Sequence, residues 1–374
     1  MLFSRYLSRH CQTLAFTLLT LFGSLGSIGY AYASDIIFAS WNIQNLGHGD
    51  HKKYTGLAAI AGKADLLAIQ EVMTTQGLVL LERAVEKQTG EQWSSLISHP
   101  VGSKKYKEMY AFLWRDSAIE PVRGHKLYPD NGNRFIREPF SAKFKSKHDN
   151  SEFAVGTVHI LYGQGAQDRT PEIKALADYW RWMQSTYPGT ALVLAGDFNM
   201  PPSHDAWSAL KKYAKPLITE GASTLSEKNG QYANLYDNIW VERNTTLKIT
   251  QAGIISFPKM LKLSHKDSRK YMSDHAPVYM TLGHAELDKS VVTVVEPEPN
   301  LGLPPGAQEA LEQLSSMLAP LQDKINQVSP IQFSIKEILA IISLAFMTFF
   351  TAKKKSRRQK FMAVLKTLQK NMRK

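Results

Sequence analysis

Leu192-Val193-Leu194-Ala195-Gly196-Asp197-Phe198-Asn199 is a short apolar run that ends abruptly in a glycine, a carboxylate and an amide. A strand buried in a core has no use for such an ending. The same form recurs along the chain. Apolar runs at Ile36 to Trp41, Leu66 to Ile69, Met109 to Trp114, Phe153 to His159, Asn238 to Val241 and Val278 to Leu282 read as further strands. Beside these runs stand Asn42, Gln70-Glu71, His159, Tyr236-Asp237 and Ser273-Asp274-His275. Helical patterns lie between them at Gly77 to Gln88 and Pro171 to Tyr187, the second opened by Thr170-Pro171-Glu172 as cap and first-turn proline. Alternating strands and helices predict a mixed α/β fold. In such sheets strand ends converge on one rim, so the polar endings should assemble one cleft. Its inventory of carboxylates, amides and two histidines is that of a hard-cation phosphoryl-transfer site.

Charge adds little to this. The chain has 374 residues and a formal net charge of +12, but ten basic residues and no acid fall between Lys353 and Lys374, and Arg5 and Arg9 supply the rest. What lies between is balanced overall and mildly basic up to Gly283, so isoelectric point alone does not point to nucleic acid. The only cysteine is Cys11. No disulfide framework and no thiolate zinc site is therefore expected in the folded part.

The two ends read as membrane-related. Arg5 and Arg9 precede an apolar run from Leu14 to Phe22, and Ala31-Tyr32-Ala33 suits cleavage, which predicts a signal peptide over 1–33. A catalytic domain is expected over 34–283. Residues 284–334 read as an acidic, proline-rich linker, extended from Val291 and carrying a short amphipathic helix at Gln308 to Val328. Residues 335–352 approach the ~20 residues that a membrane-spanning helix needs, and 353–374 form a basic tail. The positive cluster at Lys353-Lys354-Lys355 places that tail in the cytoplasm and the catalytic domain in the periplasm or exterior, anchored to the inner membrane.

Five segments together resemble the endonuclease/exonuclease/phosphatase superfamily and, within it, deoxyribonuclease I. They are Phe38-Ala39-Ser40-Trp41-Asn42-Ile43-Gln44, Leu67-Ala68-Ile69-Gln70-Glu71-Val72, Glu152 to His159, Gly196-Asp197-Phe198-Asn199 and Ser273-Asp274-His275-Ala276-Pro277-Val278. Ser103 to Phe112 and Arg137-Glu138-Pro139-Phe140 are typical of the deoxyribonuclease I branch. The likeness spans roughly Ile36 to Leu282 and implies a four-layered α/β sandwich, two packed mixed β-sheets flanked by helices.

The resemblance also implies roles. Glu71 would hold Mg²⁺, with Mn²⁺ or Ca²⁺ as substitutes, while Asn42 and Asp274 complete or orient its shell and Asn42 also faces substrate. Asp197 and Asn199 would orient the attacked phosphate and the water, or bind a second cation. His159, backed by Glu108, and His275, backed by Asp237, would be the acid/base pair, with the base unassigned. Tyr106 and Arg137 would contact the nucleic-acid backbone. The chain departs from deoxyribonuclease I at Gln44 and Met73, where that enzyme carries DNA-gripping arginines, and in lacking its disulfides. Lys104, Lys105 and Lys107 offer some positive charge nearby. The expected activity is metal-dependent endonucleolytic hydrolysis of DNA, with no protein partner. Two rivals stand beside it. One is a phospholipid phosphodiesterase or phosphomonoesterase on the same site, the other a non-catalytic membrane-bound binding protein.

Overall fold

The computed structural model describes residues 35–295, apart from positions 50, 229, 289 and 291. The chain divides into units Met1–Pro299 and Asn300–Lys374. The expected signal peptide, amphipathic helix, membrane helix and basic tail all lie outside the described residues. Among the described residues no helix is long and apolar enough to cross a membrane.

Two mixed sheets form the body. The first runs β14 (Val292–Val295), β12 (Ile249–Ile255), β13 (Val278–Leu282), β1 (Ile36–Leu46), β2 (Leu66–Val72), β5 (Lys107–Arg115), β3 (Trp93–Ile97), with β4 (Val101–Gly102) also on β5. The second runs β10 (Ala214–Pro216), β11 (Asp237–Glu242), β9 (Ala191–Asp197), β8 (Glu152–His159), β7 (Phe140–Ser146), β6 (Ile119–Leu127). Each contains one parallel pair, β1 with β2 and β8 with β9. Parallel neighbours need a crossover, and the helices α1 (Tyr54–Ala61) and α3 (Ala166–Thr186) supply it. Helix α2 (Thr75–Thr89) follows β2, while the short helices α4 (Phe257–Leu261) and α5 (His265–Tyr271) precede β13.

The parallel strands are near-continuous apolar runs because both of their faces are covered. Phe38, Trp41, Ile69, Phe112, Phe144, Phe153 and Val193 belong to one core cluster drawn from both sheets, whereas Tyr179, Trp180, Met183, Trp207 and Trp240 form a second against α3. A polar rivet joins the sheets within the first core: fully buried Gln70 donates from Nε2 to Ser40 Oγ at 3.1 Å and to Thr157 Oγ1 at 2.8 Å.

Two expectations are revised. Helix α3 begins at Ala166 with Gly165 as its cap, so Thr170 is no cap and Pro171 lies inside the helix. The earlier start is held by local side-chain contacts, with Thr170 Oγ1 returned to the Ala166 carbonyl at 2.8 Å and Asp168 Oδ2 accepting from the Gln164 amide at 2.7 Å. Such contacts outweigh local proline preference. Val292–Val295 belongs to the sheet and not to a linker, since it pairs antiparallel with β12. Its β-branched side chains suit a strand, and β12 offered an open edge. Strand β6 carries Pro121, which its edge position tolerates.

Candidate active site

The parallel pairs set the site. Their register puts Asn42 opposite Gln70 on one sheet and His159 opposite Asp197 on the other, and β11 then lays Asp237 opposite Asp197. Strands β1 and β2 lie over β9 and β8, so these endings meet at a single rim. The backbone there departs from regular strand geometry. Gln44, Asn45, Glu71 and Asn199 have φ of 24°, 56°, 58° and 50°. Left-handed conformations at non-glycine residues are uncommon and cluster where function requires a side chain to be re-aimed. Gly196 has φ of 148°, and a Cβ there would stand 2.0 Å from the Val158 carbonyl oxygen. Only glycine lets β9 approach β8 closely enough to bring Asp197 beside His159.

Two histidine–carboxylate pairs flank Asp197. His159 Nδ1 is 2.8 Å from Glu108 Oε1, and His275 Nδ1 is 2.8 Å from Asp237 Oδ2. Their Nε2 atoms stand 3.5 Å and 3.6 Å from one atom, Asp197 Oδ2. Burial alone pulls the His159 imidazole down, but the Glu108 carboxylate outweighs it and the net shift is upward. His275 is buried too, and Asp237 with Asp197 holds it well above the usual imidazole range. Burial pushes the Asp197 carboxyl up, yet the two imidazoles overcome this and keep it below its ordinary value. The result is a negative oxygen between two imidazoles whose ring orientations are fixed.

The second carboxylate cluster faces the opening. Glu71 Oε1 accepts from Asn42 Nδ2 at 2.9 Å and Oε2 from the Asn45 amide at 2.9 Å. Asp274 is part-exposed and loosely paired with Arg269, 3.8 Å away. These are hard oxygen donors, and the chain's one cysteine is far from them in sequence, so the donor set fits Mg²⁺, Mn²⁺ or Ca²⁺. Asn42 binds groups on two sides of the site. Its Oδ1 caps the Gln44 amide at 2.9 Å, and its Nδ2 bridges Glu71 to Asp197 Oδ2 at 3.2 Å. The amide therefore orients two carboxylates. Asp197, Asp237 and His275 also bring three ligand atoms within 4.8 Å of one another. The direct 2.8 Å bond between Asp237 and His275 marks that trio as an acid/base dyad beside a carboxylate.

Arg137 lies behind His159. It is 7% exposed, and it donates from Nε to the His159 carbonyl at 2.8 Å and from Nη2 to the Ile160 carbonyl at 2.9 Å. Its charge stands 3.9 Å from Glu108. These hydrogen bonds hold the His159 segment in place. Tyr106 is half-exposed, and the neighbouring Lys104, Lys105 and Lys107 face solvent, as a substrate-facing loop requires.

Several site residues were given no role from the sequence. Ser223 Oγ donates to Asp237 Oδ2 at 2.6 Å and accepts from the Asp237 and Tyr236 amides. Ser273 Oγ donates to the Asn42 carbonyl at 2.6 Å and accepts from the His275 amide, fastening β1 to the His275 loop. Arg169 donates to the Asn199 carbonyl at 2.6 Å. Lys52 is buried with Nζ on the Met272 carbonyl, and burial pulls its pKa down to about 8 against the opposing pull of Asp274 and Glu71. That ammonium offsets part of the carboxylates' charge.

Residues 39–245 match the family model described as Endonuclease/Exonuclease/phosphatase family. The chain is 45% identical over 273 residues to a deoxyribonuclease of Thioalkalivibrio sp. (strain K90mix), covering 71% of this chain and 76% of that protein. It is 27% identical over 274 residues to deoxyribonuclease-1 of Oryctolagus cuniculus, covering 67% and 93%. A solved structure of an endonuclease/exonuclease/phosphatase family protein from Bacteroides thetaiotaomicron superposes with a TM-score of 0.48 at 18% identity, covering 67% of this chain and 98% of that one.

Proposed function

From the premise that this chain belongs to the endonuclease/exonuclease/phosphatase family as a deoxyribonuclease I-like hydrolase of phosphodiester bonds, we propose that it is a metal-dependent endonuclease acting on DNA. The observation that carries the reading is the pair of carboxylate-backed imidazoles aimed at one Asp197 oxygen.

Phosphodiester hydrolysis requires a water to lose a proton while the leaving oxygen gains one. Two imidazoles with Nε2 atoms at one place suit that exchange: the neutral ring takes the water's proton at Nε2, and the protonated ring gives its own to the leaving oxygen. Glu108 and Asp237 hold the rings through Nδ1, so only Nε2 is free to act. Asp197, kept charged, stabilises whichever imidazole is protonated. Asn199, with its amide nitrogen on the Ile160 carbonyl at 2.8 Å, keeps its oxygen end for the water or phosphate shell. Glu71 and Asp274 would hold a divalent cation, which supplies charge neutralisation of the phosphate oxygens. Tyr106 and the lysines beside it bear on the substrate backbone.

We place the catalytic domain outside the cytoplasm, tethered to the inner membrane by 335–352, on the strength of the sequence pattern at the two ends. Digestion of plasmid DNA, RNA, sphingomyelin and a simple phosphate ester in parallel, each with and without chelator, tests the substrate. Chelator-sensitive cleavage of plasmid above the rest is expected; preference for sphingomyelin or for the simple ester would overturn the DNA reading. Protease added to spheroplasts tests the placement, which requires the domain to be digested and the 353–374 tail spared.

A further inference from the structure

Tyr162, at 60%, is more exposed than any other large apolar side chain among the described residues. It follows His159 by three positions, so it stands at the rim of the site, yet its backbone is not free. Its carbonyl accepts from Arg169 Nε at 2.6 Å, and the guanidinium carbon lies 4.4 Å from the centre of its ring. Arg169 is itself buried, with Nη1 on the Asn199 carbonyl at 2.6 Å and on Tyr236 Oη at 3.2 Å. One guanidinium thus fixes the Tyr162 ring relative to Asn199. Three positions along α3, Glu172 adds a second clamp. Its two carboxylate oxygens accept from the Leu161 and Ile136 amides, each at 2.9 Å. Ile136 is also exposed, at 40%, and Glu172 ties its backbone amide to the same carboxylate as that of Leu161, the residue before Tyr162.

An aromatic ring left in water gains nothing for the fold. A ring whose backbone is anchored by buried charges has already lost the freedom that binding would otherwise cost it. Resting on the process of DNA cleavage argued above, we infer that Tyr162 is a stacking platform for a nucleobase flanking the scissile phosphate, with Ile136 closing its edge. Base faces in an intact duplex are already stacked on one another, whereas those in a single strand or a frayed end are available. Tyr162 therefore acts on unpaired bases, and its loss leaves KM for the intact duplex unchanged. A guanidinium behind the ring strengthens the platform through cation–π contact.

The test uses full-chain protein and steady-state cleavage of a single-stranded oligonucleotide, its duplex, and a single strand built of abasic sites. Tyr162→Ala raises KM for the base-bearing single strand about 10-fold or more, the scale expected for losing one stacked base. The same change moves KM for the abasic strand less than about 2-fold, and Tyr162→Phe and Tyr162→Trp, which keep a ring, stay within about 3-fold of wild type on the base-bearing strand. An unchanged KM for the single strand in Tyr162→Ala, or an equal rise on the base-bearing and abasic strands, would overturn the assignment while leaving the nuclease reading intact. Wild-type protein inactive on all three substrates would overturn both.

Discussion

His159 and His275 aim their Nε2 atoms at the same oxygen, Asp197 Oδ2, from 3.5 Å and 3.6 Å. Groups this close titrate as a pair, so the rate should follow a bell-shaped pH profile whose two limbs belong to the pair and not to either ring. His159→Ala and His275→Ala should each lower turnover by about 100-fold or more, the low end for losing general acid or base catalysis. His204→Ala is the control. That ring caps the short turn Asp205–Ser208 by accepting from the Ala206 amide, and its loss should leave turnover within about 3-fold of wild type, since a cap acts on stability and not on chemistry.

The carboxylates behind the rings set where that bell lies. Glu108 raises His159 and Asp237 raises His275, each against burial. Removing either charge lowers the folded imidazole's pKa. A base that loses its proton at lower pH moves the rising limb down, and an acid that does so moves the falling limb down. Glu108→Gln and Asp237→Asn should therefore shift the kcat profile toward lower pH, with a smaller loss of turnover than the histidine variants. The same raised imidazoles stabilise the fold fully below the unfolded pKa of about 6.5, and this contribution fades as pH rises through the folded values. A thermal midpoint of chelated protein that climbs steadily from neutral to alkaline pH would contradict the raised pKa values.

Glu71 is held by Asn42 and Asn45 in a left-handed backbone conformation that aims its carboxylate at the opening. Glu71→Ala should abolish metal-supported cleavage, a loss of roughly 100-fold or more. Asn42→Ala should weaken the apparent metal affinity by about 10- to 100-fold, as expected of a group that orients a ligand. Titrating activity with Mg²⁺ in each variant reads both effects, and an Asn42→Ala variant with wild-type metal dependence would refute the orienting role.

Arg137 supports the site from beneath. Its loss takes away the charge 3.9 Å from buried Glu108, whose Oε2 makes no hydrogen bond, and releases two backbone carbonyls. Arg137→Ala should destabilise the protein by about 3 kcal/mol or more, the cost of stripping one partner from a buried ion pair. Thermal unfolding measures this directly. A variant with unchanged stability but weakened DNA binding would return Arg137 to the substrate-contacting role that the sequence suggested.

Most residues that meet at the rim were legible because they end a strand with an abrupt change from apolar to polar. All seven runs read as strands lie within β1, β2, β5, β8, β9, β11 and β13. These are the strands covered on both faces, where sequence contrast is greatest. The outlying strands β3, β6, β7, β10 and β12 are more polar or shorter, and their state depends on a neighbour distant in the chain. The same reason hid Ser223, Arg169, Glu172 and Lys52. A serine fourteen residues from the aspartate it holds, or a lysine whose partner carbonyl at Met272 lies 220 residues away, has no local signature. Arg137 and Asn42 show the converse, since their motifs were visible while their hydrogen-bond partners, which decide what they do, were not.

Plasmid nicking by wild type, Glu71→Ala, His159→Ala, His275→Ala and His204→Ala, each with Mg²⁺ and with excess chelator, tests the central claim most directly. Rapid nicking by wild type and His204→Ala with Mg²⁺ alone, and near-abolished nicking by the other three variants, is the result predicted. Full nicking in chelator or by Glu71→Ala, or near-normal rates in either catalytic-histidine variant with metal bound, would contradict it.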